Sequence, residues 1–197
     1  GFGIMGEKSI QKKQYILKKA REVFVKRGYK DVTMKDIVEA CEISRGGLYL
    51  YFESTRDIFL AVLNDTEDDD DDVFSKAVSH KASSSDILAL FLKEQKKELC
   101  QKKDSLTMAT YEFFFENKYP ENEHPLKMQF NAAVQIIEKL IVGGVKSKEF
   151  VCADPKGAAS NMMYVLEGLR IMSQTVGISE KEVNKEILYL MKGLLKE

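Results

Sequence analysis

The residues of this chain whose types and spacing point to chemistry lie in one stretch, Thr33 to Phe59, TMKDIVEACEISRGGLYLYFESTRDIF. Within it the guanidinium of Arg45 stands beside two residues without side chains, Gly46 and Gly47. In the first turn of a helix, that trio lets the backbone come close to the wall of a nucleic-acid groove while Arg45 reaches a base edge. Tyr49 and Tyr51 follow, with hydroxyls at phosphate-reaching length. A solvated, glycine-containing turn between two core helices has the same spacing, and at this point both readings stand. Thr33 is equally open to two roles, as a helix cap or as a phosphate ligand.

The elements that must position these residues can be read from apolar spacing. Met34, Ile37, Val38 and Cys41 fall at i, i+3, i+4 and i+7, which predicts a short helix with Lys35, Asp36 and Glu39 facing water. After Cys41-Glu42-Ile43-Ser44 the chain restarts: Ser44 is an N-cap, and Leu48 points back to the same core. This is a helix-turn-helix layout. Ahead of it, Ser9 to Arg27 carries Ile16, Ala20, Val23 and Phe24 on one face and ends at Gly28, where a left-handed residue is tolerated. Its Lys8, Lys12 and Lys13 are open to a phosphate or minor-groove contact, but a solvated basic face is the reading kept for most of them, and none is taken as a site. Gly1 to Ile4, ahead of Met5, are set aside from the fold. Thr33 and Asp36 have the spacing of a capping box, and a further helix starts at Ser54 with Ile58, Phe59, Val62 and Leu63 inward.

Composition bounds the function classes. With 44% hydrophobic residues in 197, the chain can bury a real core. The net charge of −1 hides an asymmetry: residues 1–60 carry 12 Lys and Arg against 8 Asp and Glu, and the remainder 18 against 23. Only the amino-terminal part is therefore expected to meet a polyanion. The three cysteines, Cys41, Cys100 and Cys152, are widely spaced and show no paired-ligand pattern, which points to a reducing compartment and away from a structural zinc site. No apolar run of membrane-spanning length and no charged-then-apolar leader is present, so a soluble, cytoplasmic protein is expected.

In the order of these features the chain resembles the TetR family of bacterial transcriptional regulators. The resemblance rests on Ala20, Phe24 and Gly28, on Thr33, on Ile37 to Cys41, on Ile43-Ser44-Arg45-Gly46, on Leu48-Tyr49-x-Tyr51-Phe52 and on the start of a helix at Ser54. It implies that Arg45 and Gly46 approach bases, that Thr33, Ser44, Tyr49 and Tyr51 contact the phosphate backbone, and that a homodimer reads a pseudo-palindromic operator. Two positions depart from the family pattern. Glu42 stands in the turn where glycine is usual, and Thr55 stands where a phosphate-binding lysine is usual, followed by Arg56, so Thr55 and Arg56 take that phosphate role here.

The rest of the chain reads as helix throughout, giving an all-α fold of about nine helices: a helix-turn-helix DNA-binding domain over residues 5–53 and a helical effector-binding and dimerisation domain over 54–197. The acidic run Glu67 to Asp72 reads as a fraying end or loop, and it lacks the glycine and closing glutamate of a calcium loop. Leu106 to Tyr119 is apolar on more than one side and is expected at the centre of the second domain. Pro120 and Pro125 bracket a turn, and long helices follow from Leu126 to Lys146, from Asp154-Pro155 to Val176, and from a Ser179/Glu182 capping box to the end.

The wide apolar faces of the last two helices point to burial beyond one subunit, and the resemblance implies a four-helix dimer interface there. Met108, Tyr111, Phe115, Tyr164 and Glu167, with Arg170 as an anion partner, are the candidate lining of a small-molecule pocket, with core packing as the alternative for each. The resemblance implies an unidentified effector that biases the protein away from its DNA-binding state. His80 and His124 lie in loops without a nucleophile beside them, and there is no phosphate loop, metal-ligand cluster or cofactor motif, so no catalysis, metal or cofactor is expected. A helical adaptor acting through protein contacts, with the same head, is the second reading.

Overall fold

The computed structural model describes residues 2–65, 80–101 and 105–195, with side chains from Gly6 onward. Among these residues there are nine α-helices and no strand: α1 (Phe2–Arg27), α2 (Met34–Cys41), α3 (Arg45–Tyr49), α4 (Thr55–Asn64), α5 (Ser84–Cys100), α6 (Thr107–Glu116), α7 (Pro125–Lys146), α8 (Pro155–Thr175) and α9 (Glu180–Lys192). The all-α expectation holds. Helix α1 begins seven residues before the expected Ser9 and takes in most of the segment set aside. The run Glu67 to Asp72 lies outside the described residues. Among the described residues no helix is long and apolar enough to cross a membrane.

Packing divides the chain into two compact units. The first joins Gly1–Glu67 to Lys103–Lys118, and the second joins Asp68–Lys102 to Tyr119–Glu197. In the first unit, Ile16, Ala20 and Phe24 recur at four-residue spacing along α1 and are fully buried, together with Ile37, Leu48, Ile58 and Phe59 from the next three helices. Helix α1 stops at Gly28, whose φ of 79° is left-handed, and its amide donates to the Phe24 carbonyl at 2.9 Å.

Helix α6 corrects the sequence-based expectation. It belongs to this first unit, not to the centre of the second. Phe113 packs edge-on against Tyr29 at 4.9 Å and also lies 4.9 Å from Phe59, which is edge-on to Phe24 at 5.0 Å. The Glu112 carboxylate accepts from the backbone amides of Tyr29 at 3.0 Å and Lys30 at 2.8 Å. The apolar residues of α6 thus complete an aromatic core whose other half precedes them by most of the head's sequence, and Glu112 satisfies the amides left over where α1 ends.

In the second unit, Leu88 and Leu92 of α5, Ile137 and Ile141 of α7, Met162 and Leu166 of α8, and Val183 of α9 form one core with Phe150. Helix starts follow the local chemistry. His124 Nδ1 accepts from the Leu126 amide ahead of Pro125, and Asp154 Oδ1 accepts from the Gly157 amide at 3.0 Å ahead of Pro155. The Ser179/Glu182 capping box opens α9 as expected. The apolar residues of α9 and the turn after it fall into two settings. Val183 is buried and Ile187, Leu190 and Met191 pack partly against the core, whereas Leu195 is exposed along with Leu188 and Tyr189.

Candidate nucleic-acid interface

Helices α2 and α3 position the candidate residues: Thr33 caps α2, Ser44 caps α3, and Arg45, Gly46 and Tyr49 lie within α3. Thr33 Oγ1 accepts from the Asp36 amide at 3.3 Å, while Asp36 Oδ2 accepts from the Thr33 amide at 2.8 Å and from its hydroxyl at 2.9 Å. Arg27 at the end of α1 pairs with Asp36 Oδ1 at 2.9 Å. The Thr33 amide, then Arg27 and the Thr33 hydroxyl, hold the Asp36 carboxyl at a pKa of about 2, well below its usual value. The Thr33 hydroxyl is thus engaged at the cap, so a phosphate reaching it shares an atom already in use.

The turn between α2 and α3 passes through Glu42 in the left-handed region, with φ 53° and ψ 41° and its amide directed at the Glu39 and Val38 carbonyls. A glycine takes this conformation without cost; a residue with a Cβ loses about 1 kcal/mol or more there. Cys41, just before the turn, is buried, which raises its thiol pKa and leaves it inert. Its carbonyl accepts from the Tyr15 hydroxyl at 3.2 Å, tying the end of α2 to α1.

Helix α3 is a short, capped helix. Ser44 Oγ accepts from the Gly47 amide at 3.0 Å, and Leu48 is fully buried. With Leu48 fixed inward, Arg45, Gly46 and Tyr49 are turned outward and exposed. The Arg45 guanidinium carbon lies 5.6 Å from the centre of the Tyr49 ring, within cation–π distance. A Cβ built on Gly46 meets nothing within 4 Å. The absence of a side chain at Gly46 therefore serves the exterior and not the packing. Tyr51 accepts from the Ser9 hydroxyl at 3.5 Å, and Lys13 Nζ lies 5.5 Å from the Phe52 ring centre, which brings the basic start of α1 beside the outward face of α3.

Ser54 caps α4 by accepting from the Asp57 amide at 3.2 Å, so Thr55 and Arg56 occupy its first turn. Arg56 Nε donates to Asn117 Oδ1 at 3.1 Å. Asn117, just past α6, was not singled out by the sequence reading, nor was Glu112. Neither stands in a local motif, and only long-range packing brings them to the head.

The six pocket candidates are not brought together within one unit. Met108, Tyr111 and Phe115 lie on α6 in the first unit, where Met108 and Phe115 are exposed. Tyr164, Glu167 and Arg170 lie on α8 in the second. There Tyr164 is exposed and stacks on Phe130 with ring centres 4.7 Å apart. Arg170 pairs with Glu167 and donates to Gln95 Oε1 at 2.7 Å, so the cation proposed for an anionic ligand is engaged by its own neighbours.

Residues 16–62 match the family model for bacterial regulatory proteins of the tetR family, and residues 87–184 match the model for a Tetracyclin repressor-like C-terminal domain. The chain is similar to the HTH-type transcriptional regulator YfiR of Bacillus subtilis, with 29% identity over 141 residues, 71% of this chain and 68% of the relative. It is also similar to the HTH-type transcriptional regulator QacR of Staphylococcus aureus, with 42% identity over 52 residues, 26% of this chain and 28% of that one. A solved transcriptional regulator of the TetR/AcrR family from Thermobifida fusca has the same fold, with a TM-score of 0.70 at 22% identity over 93% of this chain and 98% of its own. With the helix-turn-helix and the helical remainder each matched by its own model, the chain belongs to the TetR family of bacterial transcriptional regulators, a family of DNA-binding proteins and not of enzymes.

Proposed function

We propose that this chain is a cytoplasmic, ligand-responsive transcriptional repressor that binds a pseudo-palindromic operator as a homodimer. The observation that carries this reading is the outward face of α3. An arginine lies within cation–π distance of Tyr49 beside a glycine that opens onto free space, on a helix fixed by a side-chain cap and one buried leucine. In this reading Arg45 and Gly46 meet base edges in the major groove, and Thr33, Ser44, Tyr49, Tyr51, Thr55 and Arg56 meet phosphates.

The dimer forms through α8 and α9. Tyr164, Met172, Leu188 and Tyr189 on those two helices, with Val176 just past the end of α8, are exposed, an apolar surface that water does not favour and that a second copy buries. Two reading heads held by such an interface engage half-sites about one DNA turn, ~34 Å, apart or somewhat more. The effector is a small molecule that favours a state whose heads no longer match the operator.

The test is fluorescence anisotropy on duplexes from the regulator's own promoter, at a fixed moderate salt. Arg45→Ala is expected to cost about 1–3 kcal/mol and to relax base preference at one position, while Tyr49→Phe weakens cognate and random duplexes alike. Equal loss on cognate and random DNA for Arg45→Ala, or no selective binding by the parent protein, refutes the assignment.

A further inference from the structure

Leu50 stands outside the core of the first unit. It is 83% exposed, the most exposed of the large apolar side chains described, while Leu48 two residues earlier supplies the anchor of α3 and is fully buried. The backbone at Leu50 continues the helical turn, with φ −62° and ψ −29°, and its amide donates to the Gly46 carbonyl at 3.1 Å. Gly46 and Leu50 therefore share one face, one turn apart. Arg45 and Tyr49 occupy the neighbouring face and lie within cation–π distance of each other. The Gly46–Leu50 strip thus offers an open notch and a branched hydrocarbon, with no side-chain donor or acceptor.

We propose that Leu50 is a specificity-determining residue that packs against the C5-methyl group of a thymine in the major groove. The inference rests on the reading of α3 as the helix that enters that groove. Of the groups a base pair presents there, the thymine methyl is the one that a purely apolar side chain recognises, and cytosine lacks it. The surroundings fit a polyanion: Arg45 flanks the strip, and Lys12 and Lys13 of α1 are exposed nearby, Lys12 Nζ lying 3.9 Å from a Cβ built on Gly47. Arg45 supplies a hydrogen-bonding contact and Leu50 an apolar one, so two positions of each half-site are read by different physics.

The experiment uses the full chain. Duplexes are selected from a random-sequence library, and in the tightest one each thymine is replaced in turn by deoxyuridine, which removes the methyl and keeps every hydrogen-bonding group. Affinities are measured for the parent protein, Leu50→Ala, Leu50→Ser and Arg45→Ala. One thymine per half-site is expected to lose about fourfold on conversion to deoxyuridine, the ratio equivalent to ~0.8 kcal/mol for a buried carbon. That loss vanishes in Leu50→Ala and Leu50→Ser and persists in Arg45→Ala. Replacing the same thymine by cytosine weakens binding, and 5-methylcytosine recovers the methyl-dependent part only in proteins that keep Leu50.

A selected duplex in which every thymine tolerates deoxyuridine, or in which the losses are the same with and without Leu50, overturns the role of Leu50 and leaves the DNA-binding reading intact. Failure to select any duplex overturns both. A Leu50 variant that changes the oligomeric state of the free protein, with unaltered deoxyuridine losses, assigns the side chain to a protein contact instead.

Discussion

Gly28 and Glu112 make a prediction that the geometry can size. Gly28 adopts φ +79°, and a Cβ there lies 2.7 Å from both carboxylate oxygens of Glu112. Gly28→Ala therefore has two costs. The left-handed backbone costs about 1–2 kcal/mol for any residue with a Cβ. The displaced carboxylate also loosens its bonds to the Tyr29 and Lys30 amides. A hydrogen bond to a charged group is worth about 1.5–3 kcal/mol when sheltered, and less at the exposed Lys30 end, so this second part is about 1–3 kcal/mol. In an Glu112→Ala background the carboxylate is absent, and Gly28→Ala should cost the backbone part alone. The coupling energy of the double-mutant cycle is then about 1–3 kcal/mol. Because the chain contains no tryptophan, urea unfolding is followed by far-UV circular dichroism, with hydrogen exchange of the α1 amides reporting on the first unit separately. The same cost for Gly28→Ala in both backgrounds, within about 0.5 kcal/mol, refutes a carboxylate clamp at this turn.

Three further outcomes are expected. Glu42→Gly should stabilise the head by about 1 kcal/mol, since a left-handed residue there is relieved of its Cβ; destabilisation in the same urea titration counts against that strain. Gly144→Ala should destabilise the second unit by about 1–3 kcal/mol, because the new Cβ lies 2.1 Å from Phe150 Cδ2, and Phe150→Leu in the same chain should recover part of the loss. Asp36, with a folded pKa of about 2 against an ordinary 3.8, binds its proton less readily when folded. Its contribution is full above pH ~4 and disappears as the pH falls towards 2, so the stability gap between the parent and Asp36→Asn should narrow over that window; a constant gap from pH 6 to 2.5 rejects the assignment.

Much of the head was legible because its signals are local. Thr33 with Asp36, Ser44 with Gly47, and Gly28 after Phe24 each act over three or four residues, and a side chain that caps a helix announces itself in the neighbouring sequence. The roles proposed for Arg45 and Gly46 depend on which way α3 faces, and that direction is readable, since buried Leu48 sets it. Helix α6 was misjudged for the opposite reason. Its run of aromatic residues declares that it is buried, and nothing in the run says against what. Tyr29 and Phe113 meet through a contact no periodicity encodes, and Glu112 looks like any solvated acid until the amides at the end of α1 are set beside it. Arg170 reads from sequence as an anion partner because its pairing with Glu167 competes with solvation and ligand binding alike, and sequence spacing cannot weigh the three.

The placement of α6 also bears on the order in which the chain becomes a protein. Tyr29 and Glu112 are 83 residues apart in sequence. During synthesis α1 to α4 emerge first and find each other through short-range contacts, but the aromatic faces of Tyr29 and Phe59 stay uncovered until α6 has left the ribosome. At ~5–20 residues per second, the interval for Tyr29 lasts about 4–17 s. The reading head is therefore complete only after half the chain has been made, and a fragment ending at residue 65 lacks one wall of its own core. A nascent chain of this kind closes the core of its first unit only when α6 is added.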